Sequence, residues 1–358
     1  MLEIEKIYSE RAEEDIWSSL LKFTYTENIK RYFEQREIEY NNDLLESISG
    51  SILQAYEYFS LSGSASLQIS PLLLYYGATN LLYGVSCILT GEVQKIDNHG
   101  MKVRLLPNQK SIADANVKFI NSKTGGLTTY LKALEGLDYD FSVVRSWTVK
   151  ETLGSLVELF PDFISKYGNE EIHVIPIKKV RSDTEVNLRV DLSIISLENV
   201  QKLIERIPNF KSNYLPPVKN NLNELIMRKK LNGIDLYQTS YTGQRFLSVG
   251  HNKGNTDLVL PYYASIFIIL YSFSDLCRYT PDKWNPFVQR DTTGEKNLVE
   301  KFIYMSRRQF PNLMLNKIFG KDHLFSADIY KDIDNRAILN KEEVLSLIRE
   351  EVNNKRGK

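Results

Sequence analysis

Hydrophobic and polar positions along the chain change period three times, and the changes mark out the architecture. From Ser70 to Gly91 the sequence SPLLLYYGATNLLYGVSCILTG carries no charge, and its apolar residues run all the way round a helix. A helix without a polar face is buried in a large core or spans a membrane. Ser70 can cap it, Pro71 suits a first helical turn, and Gly91 can end it in the left-handed conformation. About twenty apolar residues reach across a bilayer. Against a span stand Thr79, Asn80, Ser86 and three tyrosines at middle depth, with no flanking Lys/Arg cluster. Gly77 and Gly84 lie seven residues apart on one face and would let another helix approach closely. A second uncharged run, LPYYASIFIILYSFSDLCRY (260–279), has Pro261 at its start. The two runs are expected to pack together as the core of a soluble protein.

Helical periodicity precedes the first run. SERAEEDIWSSLLKF, TENIKRYFEQRE and DLLESISGSILQAYEYFSLS each place apolar residues on one side. After Gly91 the chain is polar and broken, with short helices predicted over 127–137 and 149–168, the latter interrupted or ended near Pro161. Between 171 and 260 the period shifts toward two. EIHVIPIKKV and EVNLRVDLSI alternate around an RSDT turn and predict a hairpin. GIDLYQTSY and QRFLSVG are further strand candidates, and SLENVQKLIERI is a helix between them. The C-terminal third predicts three helices: 294–310, a segment after Pro311 that stops at Gly320, and one capped by Asn340 with Glu343 completing a capping box. The fold class expected is α+β and predominantly helical, with a core of two long apolar helices (about 71–90 and 261–278). One compact body over 1–358 is expected. Its possible subdivision is a helical body (1–91 with 257–358) and an α/β insertion (92–256).

Composition narrows the function classes only a little. Apolar residues make up 42% and charged residues 25% of 358, as in ordinary globular proteins. Forty-five basic residues balance forty-five acidic ones, so no global field draws nucleic acid or anionic membrane, although a local patch stays compatible with this balance. The two cysteines, Cys87 and Cys277, lie inside the apolar runs and read as reduced core thiols. The charged start MLEIEKIYSERAEED has no apolar signal region. Both features point to the cytoplasm.

Candidate chemistry is sparse. The four histidines, His99, His173, His251 and His323, have no partner at metal-ligand spacing, and no phosphate-loop, nucleophile-elbow or dinucleotide motif is present. No metal or cofactor is expected. His99 stands in a polar loop as a potential acid–base group. Arg278, Tyr279 and Trp284 put a cation beside aromatic platforms suited to a phosphate or a base; equally, Arg278 can satisfy carbonyls at its helix end while the rings pack the turn. Tyr75 and Tyr76 join these as potential ligand contacts. Gly125-Gly126 could cradle an anion before a helix or simply make a turn. Arg245 and His251 have the Arg-x(4–6)-His spacing of HEPN-type ribonucleases. They lie, however, in a segment that reads as strand, with Phe246 after the arginine.

In order along the chain, several segments resemble the YaaC-like proteins, a bacterial family. DIWSSLLKFTYTENIKRYFEQRE resembles the family's Trp-anchored opening. SASLQISPLLLYYGATNLLYG resembles its Pro-led apolar helix. His99-Gly100 matches its His-Gly pair, and Arg278-Tyr279 with Trp284 matches its closing helix. The resemblance implies an intracellular bacterial protein without an assigned activity and lends no catalytic residue. Two functions are therefore carried forward: a binding or assembly protein, with a protein partner or a second copy as occupant, and a nuclease-like or nucleotide-directed effector of a stress or phage-defence system.

Overall fold

The computed structural model describes residues 4–120, 124–139, 141, 146–169, 171–181, 186–252 and 257–327. The chain opens with β1 (Ile4–Tyr8) and four helices: α1 (Ala12–Leu20), α2 (Thr26–Glu34), α3 (Asn42–Ser64) and α4 (Ser70–Thr90). Asn41 caps α3 by accepting the Leu44 N–H at 2.8 Å. Ser70 does not cap α4. It is the first helical residue, and its N–H donates to the Ser66 carbonyl in the turn before it. Gly91 ends α4 at φ +70°, as its position implies.

The polar stretch after α4 forms β2 (Met101–Arg104), β3 (Asn116–Phe119) and β4 (Ser146–Thr148), a three-stranded antiparallel sheet, with α5 (Gly126–Glu135) between the last two. The predicted 149–168 helix is instead α6 (Val149–Leu153) and α7 (Phe160–Tyr167). Pro161 starts the second rather than stopping the first. The break lies at Gly154, where a Cβ would stand 2.2 Å from the Glu171 carbonyl oxygen.

A six-stranded sheet follows, built from β5 (Val174–Arg181), β6 (Val186–Asp191), β7 (Val218–Lys219), β8 (Glu224–Arg228), β9 (Gln238–Thr239) and β10 (Arg245–Ser248) in the order β7-β8-β6-β5-β10-β9. The predicted hairpin is β5–β6, with Lys179 opposite Leu188. Of GIDLYQTSY only Gln238–Thr239 is a strand. Helices α8 (Leu197–Glu205) and α9 (Phe210–Asn213) connect β6 to β7. The strands β11 (His251–Asn252) and β12 (Asp257–Leu258) then lead into α10 (Tyr262–Tyr279), α11 (Pro281–Arg290) and α12 (Lys296–Phe319). Two helices expected on either side of Pro311 are this one helix. The proline is accommodated inside it because Phe310, Pro311, Met314 and Leu315 are all buried, and tertiary packing offsets the roughly 3 kcal/mol cost of a mid-helix proline. Finally β13 (Asp322–Ser326) pairs in parallel with β1, with Ile4 opposite Asp322. The expected Asn340-capped helix lies outside the described residues.

At the centre is α4. It packs on α3, α10, α12 and α5. Its glycines face α3: a Cβ on Gly77 would come within 2.6 Å of Phe59 Cδ2, and one on Gly84 within 3.0 Å of Ile52 Cγ1. Its other flank meets α10 through Tyr75, whose ring centroid is 5.6 Å from Phe267 and 5.4 Å from Tyr271. Among the described helices α4 is the one long and apolar enough to cross a membrane, but 61% of that apolar window is buried inside the protein. Cys87 is buried and Cys277 partly so; both are free thiols. The buried apolar side chains form one continuous cluster from Ile16 to Phe325.

Candidate functional site

The two central helices bring most of the sequence-predicted site residues together. Tyr75 and Tyr76 lie in the second turn of α4. Tyr271 and Arg278 lie on α10, seven residues apart and so on one face. His99 reaches this face from the loop before β2, and the loop has a definite anchor. The Gly126 N–H donates to the Asn98 carbonyl at 2.7 Å, the Leu127 N–H to the His99 carbonyl at 3.3 Å, and the Ile120 N–H to the Gly100 carbonyl at 2.9 Å. Gly100 sits at φ +77° against the Gly125 backbone, a conformation that favours glycine. These bonds also settle the Gly125-Gly126 question. The first N–H groups of α5 are taken by loop carbonyls, so the pair makes a turn and holds the histidine loop rather than an anion.

The Tyr75 side chain is fully buried, and its hydroxyl lies 2.6 Å from His99 Nδ1. Burial pushes that hydroxyl far above its ordinary pKa, so it keeps its proton. The Thr79 side chain also bonds this hydroxyl, so the Tyr75–His99 bond admits either direction; with the hydroxyl as donor, the His99 hydrogen is on Nε2. His99 reaches the surface, yet its ring is partly enclosed by Tyr75 and Tyr271, each with its centroid 5.6 Å away. That enclosure, and then the charge of Arg278, hold its pKa below the usual histidine value. At neutral pH the His99 ring is therefore uncharged.

Arg278 donates from Nε to the Ser274 carbonyl at 3.1 Å and from Nη1 to the Tyr76 hydroxyl at 3.1 Å. One edge of the guanidinium satisfies a carbonyl of the last helical turn, as the helix-end reading expects, while the other lies beside the Tyr76 and Tyr279 rings. The guanidinium carbon is 5.7 Å from the Tyr76 ring centroid and 4.8 Å from that of Tyr279, which is 71% exposed. Tyr271 donates to the Met101 carbonyl at 2.7 Å, tying α10 to β2, and burial raises its pKa to about 12. Asp275, one turn before Arg278, is also pushed upward by burial, with the Arg278 charge opposing that shift.

The remaining candidates lie elsewhere. Trp284 is wholly buried on α11, packed on Phe273 and Phe287. Arg245 is buried on β10, with its guanidinium carbon 5.5 Å from the Tyr237 ring centroid. His251 is buried on β11, stacked between Trp147 at 3.9 Å and His173 at 3.8 Å. His173 Nδ1 in turn lies 3.0 Å from Arg206 Nη2. The Arg245–His251 spacing therefore falls on two strands, without the helix on which a ribonuclease dyad is built. Among the described residues no group of three or more His, Cys, Asp or Glu side chains is placed to hold a metal.

Sequence reasoning did not single out Tyr271 and Asp275 as neighbours of Arg278, nor Arg206 as the partner of His173. The first two had a usable signal: Phe267, Tyr271, Asp275 and Arg278 follow one another at helical spacing.

A model of the YaaC-like protein family matches residues 11–318. The chain belongs to the YaaC-like family. The match runs from α1 through nearly all of α12, and so includes the β-rich middle that no quoted motif anchored. No curated protein and no solved structure matches the chain.

Proposed function

We propose that this YaaC-like chain is a binding protein whose recognition site is the rim formed by Tyr76, His99, Arg278 and Tyr279, and that its ligand presents an anionic group beside a planar ring. The observation that carries the reading is a guanidinium set between a hydroxyl-bearing ring and an exposed aromatic face, with His99 beside it. With the Tyr75 hydroxyl assigned as donor to Nδ1, His99 offers Nε2–H, and Arg278 adds a cation with Nη2 unbonded to any described residue. Guanidinium groups form paired hydrogen bonds to carboxylate or phosphate. Exposed Tyr279 offers a stacking face beside that cation, worth about 1–3 kcal/mol when a base stacks on such a ring. The second function, a nucleotide-directed effector, draws on the same feature, since a nucleotide carries both groups. A catalytic version draws less support, because the bond to Tyr75 occupies one ring nitrogen of His99 and no second acid–base group among the described residues is paired with the other.

The test is a thermal-shift and calorimetric panel of AMP, adenosine and inorganic phosphate on the full chain. AMP is expected to bind more tightly than either half alone, and Tyr279→Ala to bring AMP down to the affinity of phosphate. Equal binding of adenosine and AMP, or binding by none of the three, refutes the reading.

A further inference from the structure

A second site lies at the opposite end of α10. A cavity of about 520 Å³ opens where the first turn of α10, the C-terminal turns of α5 and α12, and strands β9, β10 and β13 meet. Its volume falls within the roughly 300–1,000 Å³ of small-molecule sites, and such sites favour junctions between layers. None of Tyr75, Tyr76, His99 and Arg278 lines it. Tyr263 and Arg278 are fifteen residues apart on one helix, or about 22 Å at 1.5 Å per residue. The two sites are distinct.

The walls combine aromatic rings with carboxylates. Tyr237, Phe246 and Tyr263 line the cavity and are nearly inaccessible to solvent. Three acids face it. Glu135 is paired with Lys317 at 2.7 Å, and Asp235 with Lys229 at 3.2 Å. Asp322 has no ion pair among the described residues. Its hydrogen-bond partner is the Asn316 amide, which donates at 3.2 Å. A half-buried carboxylate without a direct ion pair is costly: burial pushes the Asp322 carboxyl up, and the charge of Lys317 offsets this only in part. Tyr263 is 3% exposed, and its hydroxyl faces the Glu135 carboxylate; burial, and then Glu135, raise its pKa, so it stays protonated. Cations already stand over two of these rings, with Lys317 Nζ 5.7 Å from the Tyr263 centroid and Lys179 Nζ 5.1 Å from that of Tyr237. Their faces are thus electrostatically suited to positive charge.

We propose that this cavity binds a small organic cation carrying an apolar ring, with Asp322 as its counter-ion and Tyr237, Phe246 and Tyr263 as the walls around the ring. A primary amine or a protonated heterocycle supplies the direct ion pair that Asp322 lacks. The ring occupies volume that water fills poorly between aromatic walls.

Three probes that differ only in their head group test this on the full chain by calorimetry: phenethylamine, 2-phenylethanol and phenylacetate. Phenethylamine is expected to bind at least tenfold more tightly than the alcohol, and phenylacetate not at all. In Asp322→Asn, phenethylamine affinity is expected to fall at least tenfold while the alcohol is unchanged. Leu313→Trp, which fills the cavity from α12, is expected to abolish binding of both with the circular dichroism spectrum retained, and it serves if Asp322→Asn fails to fold. Equal binding of the three probes, binding by none, or undiminished phenethylamine affinity in either folded variant overturns the proposal.

Discussion

Replacing Tyr75 by phenylalanine removes a single oxygen from the centre of the candidate rim. The ring stays packed, since its neighbours Tyr76, Phe267 and Tyr271 sit 5.4–5.6 Å away and touch carbon atoms. What disappears is the 2.6 Å bond to His99 Nδ1. A hydrogen bond contributes a net of about 0.5–1.5 kcal/mol, and more is lost only when the abandoned partner stays buried and unpaired. His99 is at the surface, so water takes the place of the hydroxyl. The expected loss of stability is therefore about 1 kcal/mol. In a urea titration that is a midpoint lowered by at most about 0.3 M at unchanged slope, because the slope rises with chain length beyond the roughly 1–3 kcal/mol per M of small proteins. The informative readout is the tautomer. Nitrogen-15 NMR of the wild-type chain should show His99 with hydrogen on Nε2 alone, and the variant should show a mixture. A variant that keeps one tautomer refutes the assignment. A stability loss above 3 kcal/mol would mean that Tyr75 acts through packing rather than through its hydroxyl.

Gly77→Ala places a methyl group 2.6 Å from Phe59 Cδ2 and is expected to destabilise by about 1–3 kcal/mol through overpacking. Gly50→Ala, where nothing stands within 4 Å, is expected to stabilise by about 0.5–1 kcal/mol as a helical glycine replaced by alanine; paired melting curves check both. Glu158 is buried, with the Tyr262 hydroxyl donating to it, and burial raises its pKa. A carboxyl raised on folding holds its proton better in the folded state, so its contribution is present below the ordinary carboxylate pKa and lost as pH rises through the raised value. Glu158→Gln should flatten that decline and be the more stable form at pH 8 by chemical denaturation. His99 has the opposite sign. Its lowered pKa contributes stability above the unfolded value, about 6.5, which is lost as pH falls toward the folded value, and His99→Asn should remove that part of the acid-side slope.

Much of this arrangement was legible in local pattern. The all-round apolar runs at 70–91 and 260–279 specified two buried helices, and the spacing of Gly77 and Gly84 specified a close helix contact. It did not specify that the contact is with α3, because a glycine pair records only how near a neighbour comes. The Ser70 cap failed for a local reason, since the preceding turn already extends the helix through the bond from the Ser70 N–H to the Ser66 carbonyl; the break near Pro161 failed for a tertiary one, the close approach of the Glu171 backbone at Gly154. Pro311 likewise ended a helix on paper, while burial on both sides carries α12 through it. At the site, His99 and Arg278 were identifiable as polar residues closing apolar helices. Their meeting was not, since it depends on Asn98 and His99 carbonyls bonding the first turn of α5, a contact between backbone groups that no residue type encodes. Trp284 looked like a platform by proximity in sequence, but α11 turns it into the core.

The central claim is that Arg278 and His99 form one anion-binding rim. Equilibrium dialysis of AMP against the wild-type chain and against Arg278→Gln tests it most directly, because glutamine keeps donors and removes the charge. The account predicts one saturable equivalent on the wild type and at least a tenfold weaker affinity in the variant, with the fold retained. Equal affinity in the two chains would contradict it.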